Sequence, residues 1–285
     1  MTRLPLVPFA LALVAVMSAG ACASRSAGPA AQPATHAASA HATRSATAPA
    51  SSARVPRYSH IVVVMEENHS YEQIIGSPQA PYINSLARAG ALFTNSHAVT
   101  HPSEPNYMAI TSGSTRGLSS DACPFGTSHA SLGSELIAAG LSYADYSESM
   151  PSQGYHGCGS GEYARKHNPA ANYTKLPATA NATFAAFPRD FARLPTVSLV
   201  VPNLLDDMHD GTIAQGDTWL KARMNSYLTW ARNHNSLLII TGTRTTSARA
   251  TTSPRSSPAR TSSWAGTASR SATTACCARS SRPTA

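Results

Sequence analysis

Charge and aromatic side chains are both scarce: 13% of the 285 residues are Asp, Glu, Lys or Arg, and 7% are Phe, Trp or Tyr. No basic stretch interleaved with aromatics and no basic recognition helix is present, so no nucleic-acid partner is expected. Cysteine is rare, five in all, and no Cys and His group has the spacing of a zinc finger. A Gly-x-Ser-x-Gly nucleophile elbow is missing, as is a matched acid pair of the glycosidase kind, which argues against peptide-bond and carbohydrate hydrolysis. The one long apolar run, Leu4 to Met17, is too short for a comfortable membrane span. Acids are lacking altogether from residues 242–285, which hold seven Arg and no Lys.

The formal charge of +8 therefore belongs to the ends of the chain. Residues 1–56 carry four Arg and no acid, whereas residues 57–241 carry 11 basic and 14 acidic side chains. The start reads as a secretory signal: Arg3, then the apolar run, then small residues, with cleavage after Ala23. A lipoprotein reading puts Cys22 at the new N-terminus, and only then is membrane contact expected. Residues 24–56 are Ala, Ser, Thr and Pro with almost no large apolar side chain, a disordered export linker. The protein is expected to be secreted or held in the cell envelope.

Residues 57–241 alternate strand-like and helix-like patterns. Strands are expected at His60–Met65, Ala91–Asn95, Leu141–Tyr146, Thr196–Val201 and Ser236–Ile240. Helices are expected at Pro81–Ala89, Pro105–Thr111, Ser131–Ala139 and Thr218–Arg232, the last with Leu220, Met224, Leu228 and Ala231 on one stripe and Asp217 as its cap. Such alternation gives an α/β fold, a mostly parallel sheet with helices on both faces.

Two stretches carry the chemistry. Tyr58–Ser70, YSHIVVVMEENHS, drives a β-branched strand into Glu66, Glu67 and Asn68. Ligands in open α/β sheets gather beyond strand C-termini, and acid and amide oxygens suit a hard divalent cation. The plainer alternative is that these residues only solvate a strand end. In THPSEPNYMAITSG, Thr100–Gly113, Ser103 precedes Glu104, Pro105 and Asn106. Pro near the first helical position marks a helix start, where unpaired N–H groups favour a phosphate. Asn106 could donate its amide to a phosphoryl oxygen. Ser-x-Pro-Asn is equally a helix cap without chemistry.

Taken with YARKHNP (Tyr163–Pro169), VPNLLDDMHDG (Val201–Gly211), GDTWL (Gly216–Leu220) and SLLIIT (Ser236–Thr241), these stretches resemble the bacterial phosphoesterase family of secreted acid phosphatases and phospholipases C. That family lies within the alkaline-phosphatase-like superfamily. The resemblance implies an alkaline-phosphatase-like sandwich and a metal-assisted hydrolase of phosphate esters. By the same resemblance Glu67 and Asn68 look like ligands of a divalent metal ion, and Ser103 looks like the nucleophile. Asn106, His167 and His209 look like the phosphate-binding or proton-handling shell, with Asp207 and Asp210 either orienting His209 or capping a turn. The implied substrate is a phosphate-ester small molecule or a phospholipid headgroup. Phosphomonoesterase is favoured over phospholipase C because no lipid-binding module is visible. In this exported body Cys123 and Cys158 either pair or remain free thiols.

The resemblance fails after Thr241. In relatives the strand runs into an acidic Trp-Asp-Glu-Asp-type segment that completes the metal site, whereas in this chain GTRTTSARA follows. Gly-Thr-Arg-Thr-Thr can be encoded so that the frame one base earlier reads Trp-Asp-Glu-Asp-Asp. Ser271–Ser281 can likewise be read one base earlier to give a His-Tyr-Ser segment. A frameshift close to Thr241 is therefore expected. Residues 242–285 would be an aberrant, disordered tail that leaves the domain incomplete, with a bare sheet edge. A catalytically dead phosphate-binding remnant is the competing functional reading.

Overall fold

The computed structural model describes residues 56–244 and one further strand, Ala275–Ala278. The stretch expected to be a signal sequence, with Cys22, the expected linker up to residue 55, and the rest of the tail lie outside the described residues. The strands are β1 (His60–Glu66), β2 (Ala91–Leu92), β3 (Tyr143–Ser147), β4 (Gly159–Ser160), β5 (Tyr163–Ala164), β6 (Asn181–Thr183), β7 (Val197–Val201), β8 (Ser236–Gly242) and β9 (Ala275–Ala278). The helices are α1 (Tyr71–Ile74), α2 (Pro81–Ala89), α3 (Glu104–Ser112), α4 (Leu132–Ala138) and α5 (Ile213–Ala231).

Five strands in the order β8-β1-β7-β3-β6 pair in parallel, as the alternating sequence pattern implies. β1 is central, with Val64 facing Val200 on one side and Ile240 on the other. Buried on both faces, such a strand reads as a continuous apolar run. One face of the sheet packs Val62, Val64, Leu238 and Ile240 against Ile83 and Leu86 of α2 and Leu220, Met224 and Leu228 of α5. The other face sets Met65, Leu199 and Val201 against Tyr107 of α3. Helices thus cover both faces. Each fully buried aliphatic side chain contributes roughly 1.5–3 kcal/mol, and Leu220 and Met224 have no exposed surface.

Several local expectations shift. β2 is two residues, not five, and the long segment between β3 and β7 holds five short 3-10 turns that have no strong periodicity in sequence. α5 begins at Ile213, with the Thr212 hydroxyl accepting Gln215 N, five residues before the expected start. Asp217 is consequently inside α5 and caps another helix: its carboxylate accepts Tyr82 N at 3.0 Å and Ile83 N at 2.7 Å, at the start of α2. Burial decides this, because an acid 3% exposed must find donors, and the first N–H groups of α2 are unpaired within their own helix. Cys123 and Cys158 form a disulfide with a Cα separation of 5.7 Å. β9 lies in the stretch expected to be without structure; it pairs antiparallel with β8 and with β2, so the β8 edge is covered. Among the described residues no helix is long and apolar enough to cross a membrane.

Candidate active site

The C-terminal end of β1 delivers Glu66 and Glu67 to opposite faces of the sheet, as strand alternation requires. Glu66 is buried on the α2 and α5 side, and neither of its carboxylate oxygens has a hydrogen-bond partner among the described residues. Burial first, then the Asp207 and Asp217 charges, push its carboxyl well above the usual carboxylate range. The two neighbouring acids therefore do not act as a pair. Glu67 turns toward α3.

Ser103 immediately precedes α3 but does not cap it with its side chain. Its own backbone is already helical, φ −66° and ψ −51°, and its hydroxyl makes no bond to the first-turn amides. Instead Ser103 Oγ donates to Glu67 Oε2 at 3.0 Å, joining residues 36 apart in sequence. Thr243 Oγ1 donates to the same oxygen at 2.5 Å, from just beyond β8. Glu67 Oε1 lies 3.4 Å from His167 Nε2. His167 Nδ1 meets Asp207 Oδ2 at 2.8 Å, and its ring stacks on Tyr107 with centroids 5.3 Å apart. Glu67, His167 and Asp207 are all at most 2% exposed. Burial alone would disfavour a charged His167, but the Glu67 and Asp207 carboxylates outweigh it and raise its pKa.

The loop after β7 supplies the next layer. Asp207 holds this loop on β1, since its carbonyl accepts Glu67 N at 2.7 Å while its Oδ1 accepts His209 N at 2.7 Å. Asn68 adopts φ 60°, a left-handed conformation that Asn tolerates, and its Nδ2 donates to His209 O at 2.9 Å. His209 Nδ1 lies 2.6 Å from Asp210 Oδ1, so Asp210 orients that ring and Asp207 orients the other. Lys166 Nζ sits 2.9 Å from His209 Nε2 and 3.4 Å from Asp121 Oδ2. A cleft of about 440 Å³ opens alongside, lined by Ala98, Thr100, His101, Thr243 and Arg244.

Glu67, Asn68, Ser103, His167 and His209 are thus brought together. Asn106 has a different occupation from the one expected. Its Nδ2 donates to Thr100 O at 3.0 Å and Pro102 O at 3.1 Å, and its Oδ1 accepts Val99 N at 2.9 Å, so both ends of the amide brace the loop that carries Ser103. Lys166, Thr243 and Tyr107 escaped the sequence reading. Lys166 adjoins His167 in the Lys-His-Asn-Pro segment and could have been flagged there; Thr243 carries no signal of its own.

With this geometry in view, a family model described as "Phosphoesterase family" matches residues 77–242, more than half of the chain. The chain belongs to the Phosphoesterase family. Within the curated proteins, a phosphatidylinositol-3-phosphatase of Mycobacterium tuberculosis is 46% identical over 194 residues, covering 67% of this chain and 65% of that protein. An acid phosphatase of Aspergillus fumigatus is 30% identical over 209 residues, covering 67% of this chain and 46% of that protein. A phosphate-repressible acid phosphatase of Penicillium chrysogenum is 30% identical over 185 residues, covering 60% and 44%. The chain thus spans less than two thirds of the length of these relatives.

Phosphoesterases of this kind are expected to use a divalent metal ion, and the residues present fit one poorly. Hard cations take six or more oxygens, with carboxylates prominent among them. Glu67 is the carboxylate that bonds Ser103, and its Oε2 already accepts two hydroxyl donors. Among the described residues no group of three or more His, Cys, Asp and Glu is placed to hold a metal. Thr243 and Arg244 stand where the resemblance calls for acids, and neither offers a carboxylate.

Proposed function

We propose that this phosphoesterase is an exported hydrolase of phosphoric esters, acting as an acid-phosphatase-like phosphomonoesterase with Ser103 as nucleophile, and impaired by the lack of acidic side chains after Thr241. The observation that carries the reading is the 3.0 Å contact between Ser103 Oγ and Glu67 Oε2. It gives the hydroxyl proton an acceptor and leaves an oxygen lone pair for attack on phosphorus. In the forward step the Ser103 Oγ–P bond forms, the P–O bond to the leaving group breaks, and the departing alkoxide takes a proton from a nearby imidazolium. His167, between the Glu67 and Asp207 carboxylates, is the candidate; His209 Nε2 accepts from the Lys166 ammonium. Lys166 places a positive charge beside His209 where phosphoryl oxygens would collect. Water then cleaves the phosphoserine, returning the hydroxyl.

No step is assigned to a metal, because the donor set does not suit one. The frameshift near Thr241 accounts for that gap: it would replace the missing acids by Thr243 and Arg244. The name of the mycobacterial relative supports a phosphomonoester on a phospholipid headgroup as one substrate class, beside soluble phosphomonoesters. A phosphate-binding remnant is the second reading, favoured by the position of Thr243 against Glu67. The test compares p-nitrophenyl phosphate hydrolysis by the chain and by Ser103→Ala, with and without Mg²⁺, Mn²⁺ or Ca²⁺. Activity that disappears in the variant supports the hydrolase. Phosphate binding without turnover in either supports the remnant, and equal turnover in both refutes the role of Ser103.

A further inference from the structure

A second concave site lies beyond the C-terminal ends of β3 and β6. Its volume is about 760 Å³, within the range of roughly 300–1,000 Å³ typical of small-molecule sites. Phe184, Phe187 and Phe191 line it, in a ladder of ring contacts at 5.5 Å and 6.4 Å. Arg189 and Arg223 also line it, and both are exposed. Neither forms an ion pair among the described residues.

The acid of the lining, Glu148, is offset by Arg223, whose charge acts on it. Both oxygens of Glu148 are engaged, Oε1 by Trp219 Nε1 at 2.8 Å and Oε2 by Asn203 N at 3.2 Å. Burial holds its carboxyl above the ordinary range. Asp190, next to Arg189 in sequence, spends its Oδ1 on Ala192 N. Two arginines against one acid leave the lining formally positive, set against aromatic rings.

We propose that this groove binds an organic anion with an aromatic body, separately from the Ser103 centre: the rings stack on the phenylalanines, and Arg189 and Arg223 hold the anionic group. The site is also tied to the catalytic loop. Glu148 fixes Asn203, whose carbonyl accepts Asp207 N at 2.8 Å, and Asp207 orients His167.

Naphthalene-2-sulfonate tests the groove, because it has the required shape and charge and no phosphate ester to cleave. Calorimetric titration of the full chain is expected to show saturable binding at one site. Arg189→Ser combined with Arg223→Ser should weaken it by about tenfold or more, as should Phe187→Ser, while Ser103→Ala and added inorganic phosphate leave it unchanged. The arginines are exposed, so their replacement spares the core, and circular dichroism of each variant checks its fold. Absence of saturable binding overturns the proposal. So does an affinity within about twofold of the parent in the double arginine variant, or displacement of the probe by inorganic phosphate.

Discussion

Glu67→Gln isolates what one buried carboxylate does for this fold. The side chain it replaces is 1% exposed, accepts hydroxyl donors from Ser103 and Thr243 on one oxygen, and faces His167 Nε2 at 3.4 Å with the other. Gln preserves the volume and one acceptor but removes the charge. Hydrogen bonds to a charged group are worth about 1.5–3 kcal/mol against about 1 kcal/mol for neutral pairs, and deleting one partner of a buried ion pair costs roughly 3–5 kcal/mol. Because both hydroxyls retain an acceptor in Gln, the expected loss is on the order of 3 kcal/mol. Its pH dependence follows from His167, whose pKa is raised by Glu67 and Asp207 against the effect of burial. Stability from a raised histidine is fully present below its ordinary value of 6.5 and disappears as pH climbs through the raised folded value. The Glu67→Gln deficit should therefore be largest below pH 6.5 and shrink on the alkaline side, with His167 titrating lower than in the parent. Urea unfolding across pH, with an NMR titration of the His167 ring, measures both. A deficit under about 1 kcal/mol, or one independent of pH with His167 unmoved, refutes the reasoning.

Removing the Cys123–Cys158 disulfide by replacing both residues with Ala should cost about 4 kcal/mol, since the bridge spans a sequence separation of 35 and loop entropy grows with that length; an unchanged urea midpoint would contradict it. Burial raises the Asp145 carboxyl from 3.8 to about 7, so the native state binds the extra proton and stability falls as pH rises between those values, by an upper bound on the order of 4 kcal/mol. Asp145→Asn should lose that slope and exceed the parent in stability at alkaline pH; a parallel pH profile in the variant would refute it. Thr243→Asp sets a second carboxylate against Glu67, which should destabilise the chain in chelator and make its melting temperature rise with Mg²⁺, Mn²⁺ or Ca²⁺, with no rise in the parent. Equal stabilisation of the parent would mean that its existing donors suffice.

The parallel sheet was legible because β1, β7 and β8 are buried on both faces and spell continuous β-branched and aliphatic runs, a pattern few other structures satisfy. The convergence of Glu67 with Ser103 was legible as a resemblance, since both stretches carry distinctive side chains at their element boundaries. What escaped depended on tertiary burial. Asp217 looked like the cap of its own helix until the α2 amides claimed it, and Asn106 looked like a ligand donor until the loop at Val99–Pro102 used its whole amide. The segment between β3 and β7 was opaque because short 3-10 turns leave no period to read. Lys166 and Thr243 gain significance only from neighbours 43 and 176 positions away in sequence.

Acid-quenched turnover followed by peptide mass spectrometry addresses the nucleophile most directly. After reaction with a phosphomonoester, the peptide containing Ser103 should carry a phosphoryl group on that residue, and Ser103→Ala should carry none and lose turnover. Hydrolysis that proceeds undiminished in Ser103→Ala, or a phosphorylated residue elsewhere with Ser103 unmodified, would contradict the account.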